Sequence, residues 1–381
     1  MRVSVVSFNL AQHQAPPLAL LAQAATAAPF DVLAVAVQEL APFAEQMRRS
    51  HAKRLSPAMR RVVAAFDAEL PGDDTVRLAV ALEHGAVGLA VWVRLSVCSS
   101  HVNSCAKVGL GPLGLSSKAA VAVALHLCPA ATTTTTTVAF VSAHLPAGAT
   151  PAANAARNQA FRSVAARLVL RARSLFDCDA VFFAGDLNYR AGPNPSFADT
   201  DELSRAIRCN AAFPAFSEPA VSFAPTYKLT NERTYHPRRQ PAWCDRILTY
   251  SRHSPAASRH IVAWLAATAA AARPPAPGND DTAPNSIHCL RYWSLPIAGS
   301  DHLPVFAYFR VDLSHMLSHS SCADIPPVAD PLLRTYYHIL GLSADRLLGF
   351  AHLALTDPTS AALLALTMAV LFALARSYCI C

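Results

Sequence analysis

Charge is scarce in this chain: Lys, Arg, Asp and Glu make up 15% of its 381 residues, against 53% apolar ones. That balance excludes an intrinsically disordered chain, and the length is sufficient to bury a substantial core. The ten cysteines include no C-x-x-C pair, and no apolar secretory leader precedes the alternating run Val3–Phe8. Neither a disulfide framework nor a zinc ribbon is therefore expected, and reduced thiols in the cytosol are. The patterns H-E-x-x-H, G-x-x-x-x-G-K-[S/T] and C-x5-R are also missing. Their absence excludes a zinc-peptidase helix, a nucleoside-triphosphate cradle and a thiolate phosphatase loop. What charge there is leans one way: the formal net charge is +7. An anionic partner is favoured, be it nucleic acid, a phosphorylated small molecule or an anionic membrane face.

Short apolar runs predict strands at Val3–Phe8, Val32–Val37, Leu78–Leu82, Gly88–Val93, Ala119–Leu125, Val138–Ser142, Ala180–Ala184, Arg246–Tyr250 and Val305–Phe309. Helical stretches are expected over Ala44–Leu70 and Ala153–Leu175. Strands interspersed with helices and tight turns give an α/β or α+β domain of layered sheets flanked by helices. Thr132–Thr137 and Ala266–Asn285 are expected to be loops, and polar, Pro-bearing Asp312–Pro331 a linker. Leu332–Leu355 resumes apolar spacing, as a juxtamembrane helix would. Thr359–Ala375 is uncharged and apolar on all sides. Its length of roughly 25 Å is near the lower limit for spanning a bilayer core. We expect a tail-anchor transmembrane helix there, a buried C-terminal helix being the other option.

Polar groups recur where apolar strands end. Asn9 closes the first run and Gln38-Glu39 the second, while His144 follows Val138–Ser142. Gly185-Asp186-Leu187-Asn188-Tyr189-Arg190 follows Ala180–Ala184, and Ser300-Asp301-His302 precedes Val305. Alone, each has a plainer reading as an Asx turn, a surface pair or a structural histidine. As a set, five strand ends at one sheet edge would gather oxygen ligands and imidazoles into one cleft. An acid there can take a proton from water, an amide can hold a phosphoryl oxygen, and hard oxygens suit magnesium better than zinc. Pro225-Thr226-Tyr227-Lys228 and Arg238-Arg239-Gln240-Pro241-Ala242-Trp243-Cys244-Asp245-Arg246-Ile247-Leu248 add cations dense enough for a ligand with several phosphates.

In this order, with Ser116–Val121 and Arg157-Asn158-Gln159, these motifs closely resemble the inositol polyphosphate 5-phosphatases, a branch of the endonuclease/exonuclease/phosphatase superfamily. The resemblance covers residues 1–311 and implies a four-layer fold, two packed sheets with outer helices. It implies that Glu39 and Asn9 hold Mg2+ with Asp301 beside it, and that Asp186 orients or deprotonates the attacking water. Asn188 would steady phosphoryl oxygens, His302 would contact the scissile phosphate, Asp245 would orient His302, and His144 would be a further phosphate contact. Tyr227, Lys228 and Arg239 would grip a 4-phosphate and Lys118 a 1-phosphate, with Arg238 and Arg246 completing the cationic set. The chain departs from the family at Ala11, at Ser117-Lys118-Ala119 and at Pro237.

The resulting expectation is magnesium-dependent removal of the 5-phosphate from phosphatidylinositol 4,5-bisphosphate, the 3,4,5-trisphosphate or soluble inositol polyphosphates. Residues 1–311 would form the catalytic domain, 312–358 the linker and juxtamembrane helix, and 359–375 the anchor. The enzyme would be monomeric, with its catalytic domain in the cytosol, the membrane as partner through the C-terminal helix and no nucleic-acid partner. Two alternatives share part of the pattern: a superfamily phosphodiesterase (nuclease or sphingomyelinase-like), and an inactive membrane-held phosphoinositide-binding module.

Overall fold

The computed structural model describes residues 1–12, 17–42, 45, 54–72, 75–95, 98–129, 135–171, 174–192, 200–253, 255–269, 286–313, 339–341 and 343–348. The strands are β1 (Arg2–Asn9), β2 (Val32–Gln38), β3 (Val76–His84), β4 (Val87–Arg94), β5 (Cys98–Gly109), β6 (Ala119–Pro129), β7 (Thr136–His144), β8 (Ala180–Asp186), β9 (Asp245–Ser251), β10 (Ile287–Ser294) and β11 (Val305–Val311). The helices are α1 (Leu18–Thr26), α2 (Pro57–Asp67), α3 (Pro151–Arg167), α4 (Glu202–Arg208) and α5 (Pro255–Ala269).

Two mixed sheets result, with orders β10-β11-β1-β2-β4-β3 and β5-β6-β7-β8-β9. Each has one parallel pair at its centre, β1–β2 and β7–β8, with antiparallel strands outside it. β2 is buried throughout, which explains its unbroken apolar run: a central strand covered on both faces cannot alternate. The sheets meet face to face over Val5, Ala34, Val91, Val123, Phe140, Phe182 and Phe309. Phe161, Val164, Phe176, Phe213 and Trp264 pack on the outer face of the second sheet, and Leu21, Met59, Phe66 and Trp92 on that of the first. Helix, sheet, sheet, helix is the expected layering.

Helix starts follow local chemistry. Ser56 caps α2 by accepting from Met59 N, Thr150 caps α3 by accepting from Ala153 N, and each is followed by Pro, whose missing N–H costs nothing there. The expected helix over Ala44–Leu70 is therefore confined, among the described residues, to α2 and Glu45. The helix expected to reach Leu175 ends at Arg167. Strands β5 and β10 were not anticipated, because β5 (CSSHVNSCAKVG) is polar and β10 is exposed over His288–Arg291. Their neighbours β6 and β11 supply the pairing that their own composition does not advertise. Leu332–Leu355 is helical at 339–341 and 343–348. The apolar run Thr359–Ala375 and most of the linker lie outside the described residues, within which no helix is long and apolar enough to cross a membrane.

Candidate active site

The strand registers bring the polar groups together. Asn9 stands opposite Gln38 in the β1–β2 pair, His144 opposite Asp186 in β7–β8, and Asp186 opposite Asp245 in β8–β9. Because β1, β2, β7 and β8 end at this edge while β9 and β11 begin there, six strands contribute to one rim. A hydrogen bond from Gln38 Nε2 to Ser142 Oγ (3.3 Å) ties the two sheets together beneath it. Asn9 spans the gap as well, donating from Nδ2 to Asp186 Oδ2 (3.0 Å) and to Glu39 Oε1 (3.3 Å).

Glu39 and Asn188 take left-handed backbone conformations, with φ of 53° and 57°. Such strain is uncommon for Glu and persists where the surroundings enforce it. Here it directs both side chains into the rim. Asn188 N donates to Asp186 Oδ1 (3.0 Å), Asn188 Nδ2 to Leu145 O (3.0 Å), and Arg190 Nη2 to Asn188 Oδ1 (2.6 Å).

The third wall is threaded by backbone pairing. Tyr227 exchanges both backbone hydrogen bonds with Ala242, Leu303 N donates to Thr226 O, and Leu229 N donates to Asp301 O. Ser300 Oγ donates to Asn9 O (2.7 Å) and accepts from His302 N (3.0 Å), joining this loop to β1. Asp245 Oδ2 then receives both Thr226 Oγ1 (2.7 Å) and His302 Nδ1 (2.8 Å). With Nδ1 so engaged, His302 Nε2 faces Asp186 Oδ2 at 3.9 Å. Burial opposes charge on His302, but Asp245 and Asp186 outweigh it and push its pKa up to about 9, so the ring is an imidazolium at neutral pH. Burial likewise opposes charge on Asp186, yet His144, His302 and Lys118 hold its carboxyl well below the usual range. The site is thus pre-charged, with an ionised acid facing a protonated ring.

His144 Nε2 contacts both Asp186 Oδ2 (3.2 Å) and the Lys118 ammonium, and one ring nitrogen can serve only one of them at a time. Burial and the Lys118 charge hold His144 below its ordinary value, and burial does the same to Lys118. Glu39 and Asp186 offer hard carboxylate oxygens suited to a hard divalent ion, bridged by Asn9, whose Nδ2 faces them while its Oδ1 accepts from Ala11 N (2.9 Å). Asp186, Asp245 and His302 also offer three ligand atoms within 4.8 Å of one another, but there the Asp245–His302 hydrogen bond already uses the facing atoms. Asp301 Oδ2 is paired with Lys228 Nζ (2.6 Å), so the expected metal neighbour and the expected substrate cation meet in one ion pair.

A cleft of about 930 Å³ opens beside the rim, lined by Arg190, Arg205, Tyr227, Arg239 and Gln240 among others. Arg190 lies 4.6 Å over the Tyr227 ring, and Tyr227 stacks against His302 with ring centroids 4.6 Å apart. Arg238 is exposed and is not among the cleft's lining residues. Arg246, expected to meet substrate, does not reach it. It is fully buried and donates to Glu218 Oε1 (2.7 Å), Asp201 Oδ1 (2.9 Å) and Trp243 O (3.2 Å). Side chains alternate along a strand, so with Asp245 turned to the rim its neighbour must point elsewhere. Sequence reasoning missed Arg205, Thr226 and Ser300 as contributors. Thr226 and Ser300 sat inside quoted motifs, whereas Arg205, on α4, carried no signal.

An ionised carboxylate, an imidazolium held by a second carboxylate and a cationic cleft are groups chemically suited to orienting water and receiving an anionic ester. Residues 6–308 match the sequence profile of Endonuclease/Exonuclease/phosphatase family 2, and the chain belongs to that family. Among curated proteins, it is 28% identical over 194 residues to type IV inositol polyphosphate 5-phosphatase 3 of Arabidopsis thaliana, covering 43% of this chain and 28% of that protein. It is 30% identical over 203 residues to type I inositol polyphosphate 5-phosphatase 8 of the same plant, covering 45% and 41%. With human synaptojanin-1 it shares 34% identity over 139 residues, covering 32% of this chain and 9% of that one. The matches thus span less than half of each relative. Among solved structures, the inositol polyphosphate 5-phosphatase domain of SPsynaptojanin, in complex with inositol (1,4)-bisphosphate and calcium ion, superposes with a TM-score of 0.58 at 22% identity, covering 92% of each chain. A Cimex nitrophorin, a ferrous NO complex, also matches (TM-score 0.52, 20% identity, covering 82% of this chain and 98% of that one). One fold hosts unlike functions, so the side chains must decide.

Proposed function

We propose that this chain removes the 5-phosphate from phosphoinositides or inositol polyphosphates in a magnesium-dependent reaction. The observation that carries the reading is the line Asp245–His302–Asp186, opening on a cleft with Arg190 and Arg239. Asp186, ionised and backed by Asn9 and Asn188 N, would accept a hydrogen bond from water and aim its lone pair. With so low a pKa it orients that water more than it stores its proton. His302 would donate Nε2–H to a phosphoryl oxygen as charge develops there, and Asp245 keeps the ring protonated and turned. Glu39 and Asn9, with Asp301 beside the ion, would hold a divalent cation, whose positive charge would offset the negative charge developing on the reacting phosphate. Tyr227, Lys228 and Arg239 would take the neighbouring phosphate. The curated relatives' names support this substrate class. A membrane anchor at 359–375 rests on its composition and would present the cleft to lipid headgroups at high effective concentration.

The test is phosphate release over a panel of inositol phosphates and phosphoinositides, with and without Mg2+. We expect release that needs both the 5-phosphate and the ion, and a loss of roughly a hundredfold or more in His302→Ala. Cleavage of plasmid DNA or sphingomyelin with no phosphate released from the panel would overturn the assignment.

A further inference from the structure

Residues 339–341 and 343–348 lie beyond the family match, yet they reach back to the loop that delivers Lys118. That loop leaves β5 at Gly109 and rejoins β6 at Ala119. It closes on itself: Leu110 N donates to Lys118 O (2.6 Å), Gly111 N to Leu115 O (2.9 Å) and Leu115 N to Pro112 O (3.1 Å). Within it Ser116 is buried, and its backbone N–H donates to Asp345 Oδ1 at 3.0 Å. Asp345 itself is fully buried. Four residues earlier, Gly341 lies so close that a Cβ there would sit 2.3 Å from Gly114 O. On the other side, a Cβ at Gly85, in the β3–β4 turn, would sit 2.3 Å from Ser116 O. The loop is therefore clamped between that turn and the C-terminal segment. Two residues past Ser116, Lys118 places its ammonium on His144 Nε2 inside the catalytic cluster.

We infer that Asp345 is a positioning residue for the active site: through the Ser116 N–H it fixes the 109–119 loop and hence the place of the Lys118 ammonium. A buried hydrogen bond to a carboxylate is among the strong ones, and a bond to backbone leaves the loop no rotamer by which to escape. The loop's own hydrogen bonds hold its shape, and Asp345 holds its position against the sheet edge. The part that reads out in catalysis rests on the proposed function; the geometric part does not.

The test uses the full-length chain and the substitutions Asp345→Ala and Asp345→Asn, since Asn keeps an Oδ1 acceptor for Ser116 N–H. Acylation of Lys118 by a limiting amine-reactive ester, read by peptide mass spectrometry, should rise roughly threefold or more in Asp345→Ala and stay near wild type in Asp345→Asn. Turnover of inositol phosphates should fall about tenfold in kcat/KM for Asp345→Ala and recover in Asp345→Asn. In a Lys118→Ala background, Asp345→Ala should add little, because both changes remove the same placed charge. Unchanged Lys118 labelling in Asp345→Ala, or equal loss in the Ala and Asn variants, overturns the inference. So does full additivity with Lys118→Ala. If the wild-type chain released no phosphate, the proposed function would fall while the labelling comparison still decided the clamp.

Discussion

At the scale of single residues, the site is an arrangement of opposed charges whose members depend on one another. His302 is the clearest case: burial alone would lower its pKa, and only the paired carboxylates raise it to about 9. In chelator-treated protein, an NMR titration of His302 should therefore show a midpoint near pH 9, and Asp245→Asn should bring it down toward the ordinary value of about 6.5. The linkage has a definite sign. A folded-state pKa above the unfolded one gives stability that is complete below about pH 6.5 and is lost as pH rises through about 9. Urea midpoints should fall across that interval in the wild type, and fall less in Asp245→Asn. A His302 midpoint at or below 6.5 in the wild type would remove the imidazolium from the mechanism.

The elements matter because the rim is made of strand ends, so anything that moves a strand moves a group of the candidate site. Gly185 is the tightest such point. It pairs with Ala143 across the parallel β7–β8 ladder, has φ of +153°, and a Cβ built on it would lie 1.9 Å from Ala143 O. Only glycine lets the two backbones approach so closely. Gly185→Ala should cost about 3 kcal/mol of stability, measured by chemical denaturation, and should reduce activity beyond what the lost stability explains, because Asp186 is the next residue. A variant with wild-type stability and turnover would show that the ladder can yield there at no cost. The same dependence on elements explains what was legible. The strand carrying Gly185-Asp186 was evident from Val181, Phe182 and Phe183, whereas β5 was not, since Ser99, Ser100 and Asn103 announce a loop until β6 is beside them.

For the molecule as a whole, the described residues account for a two-sheet domain and for a C-terminal segment that returns to it. The apolar run Thr359–Ala375 is separated from Leu348 by only ten residues, roughly 35 Å at full extension. A bilayer anchor there would keep the domain within that reach of the headgroups. On the anchor reading, ending the chain after residue 357 should move the protein from the membrane pellet to the supernatant, and on the proposed function the shortened chain should still turn over soluble inositol phosphates. Continued pelleting of the shortened chain in a flotation assay would count against the anchor.

The amino-acid sequence alone determined which chemistry was available: carboxylates, amides and imidazoles at strand ends, cations in two loops, and no thiolate or P-loop machinery. It also determined most strands, because period and apolarity are local properties. The tertiary structure decided which groups meet. Register set Asp186 against Asp245 and His144, alternation turned Arg246 away into the Asp201–Glu218 pair, and folding back brought Asp345 to Ser116 across 229 positions. Such contacts are not written in local pattern, because hydrogen bonds and charges act over a few ångströms in space whatever the distance along the chain.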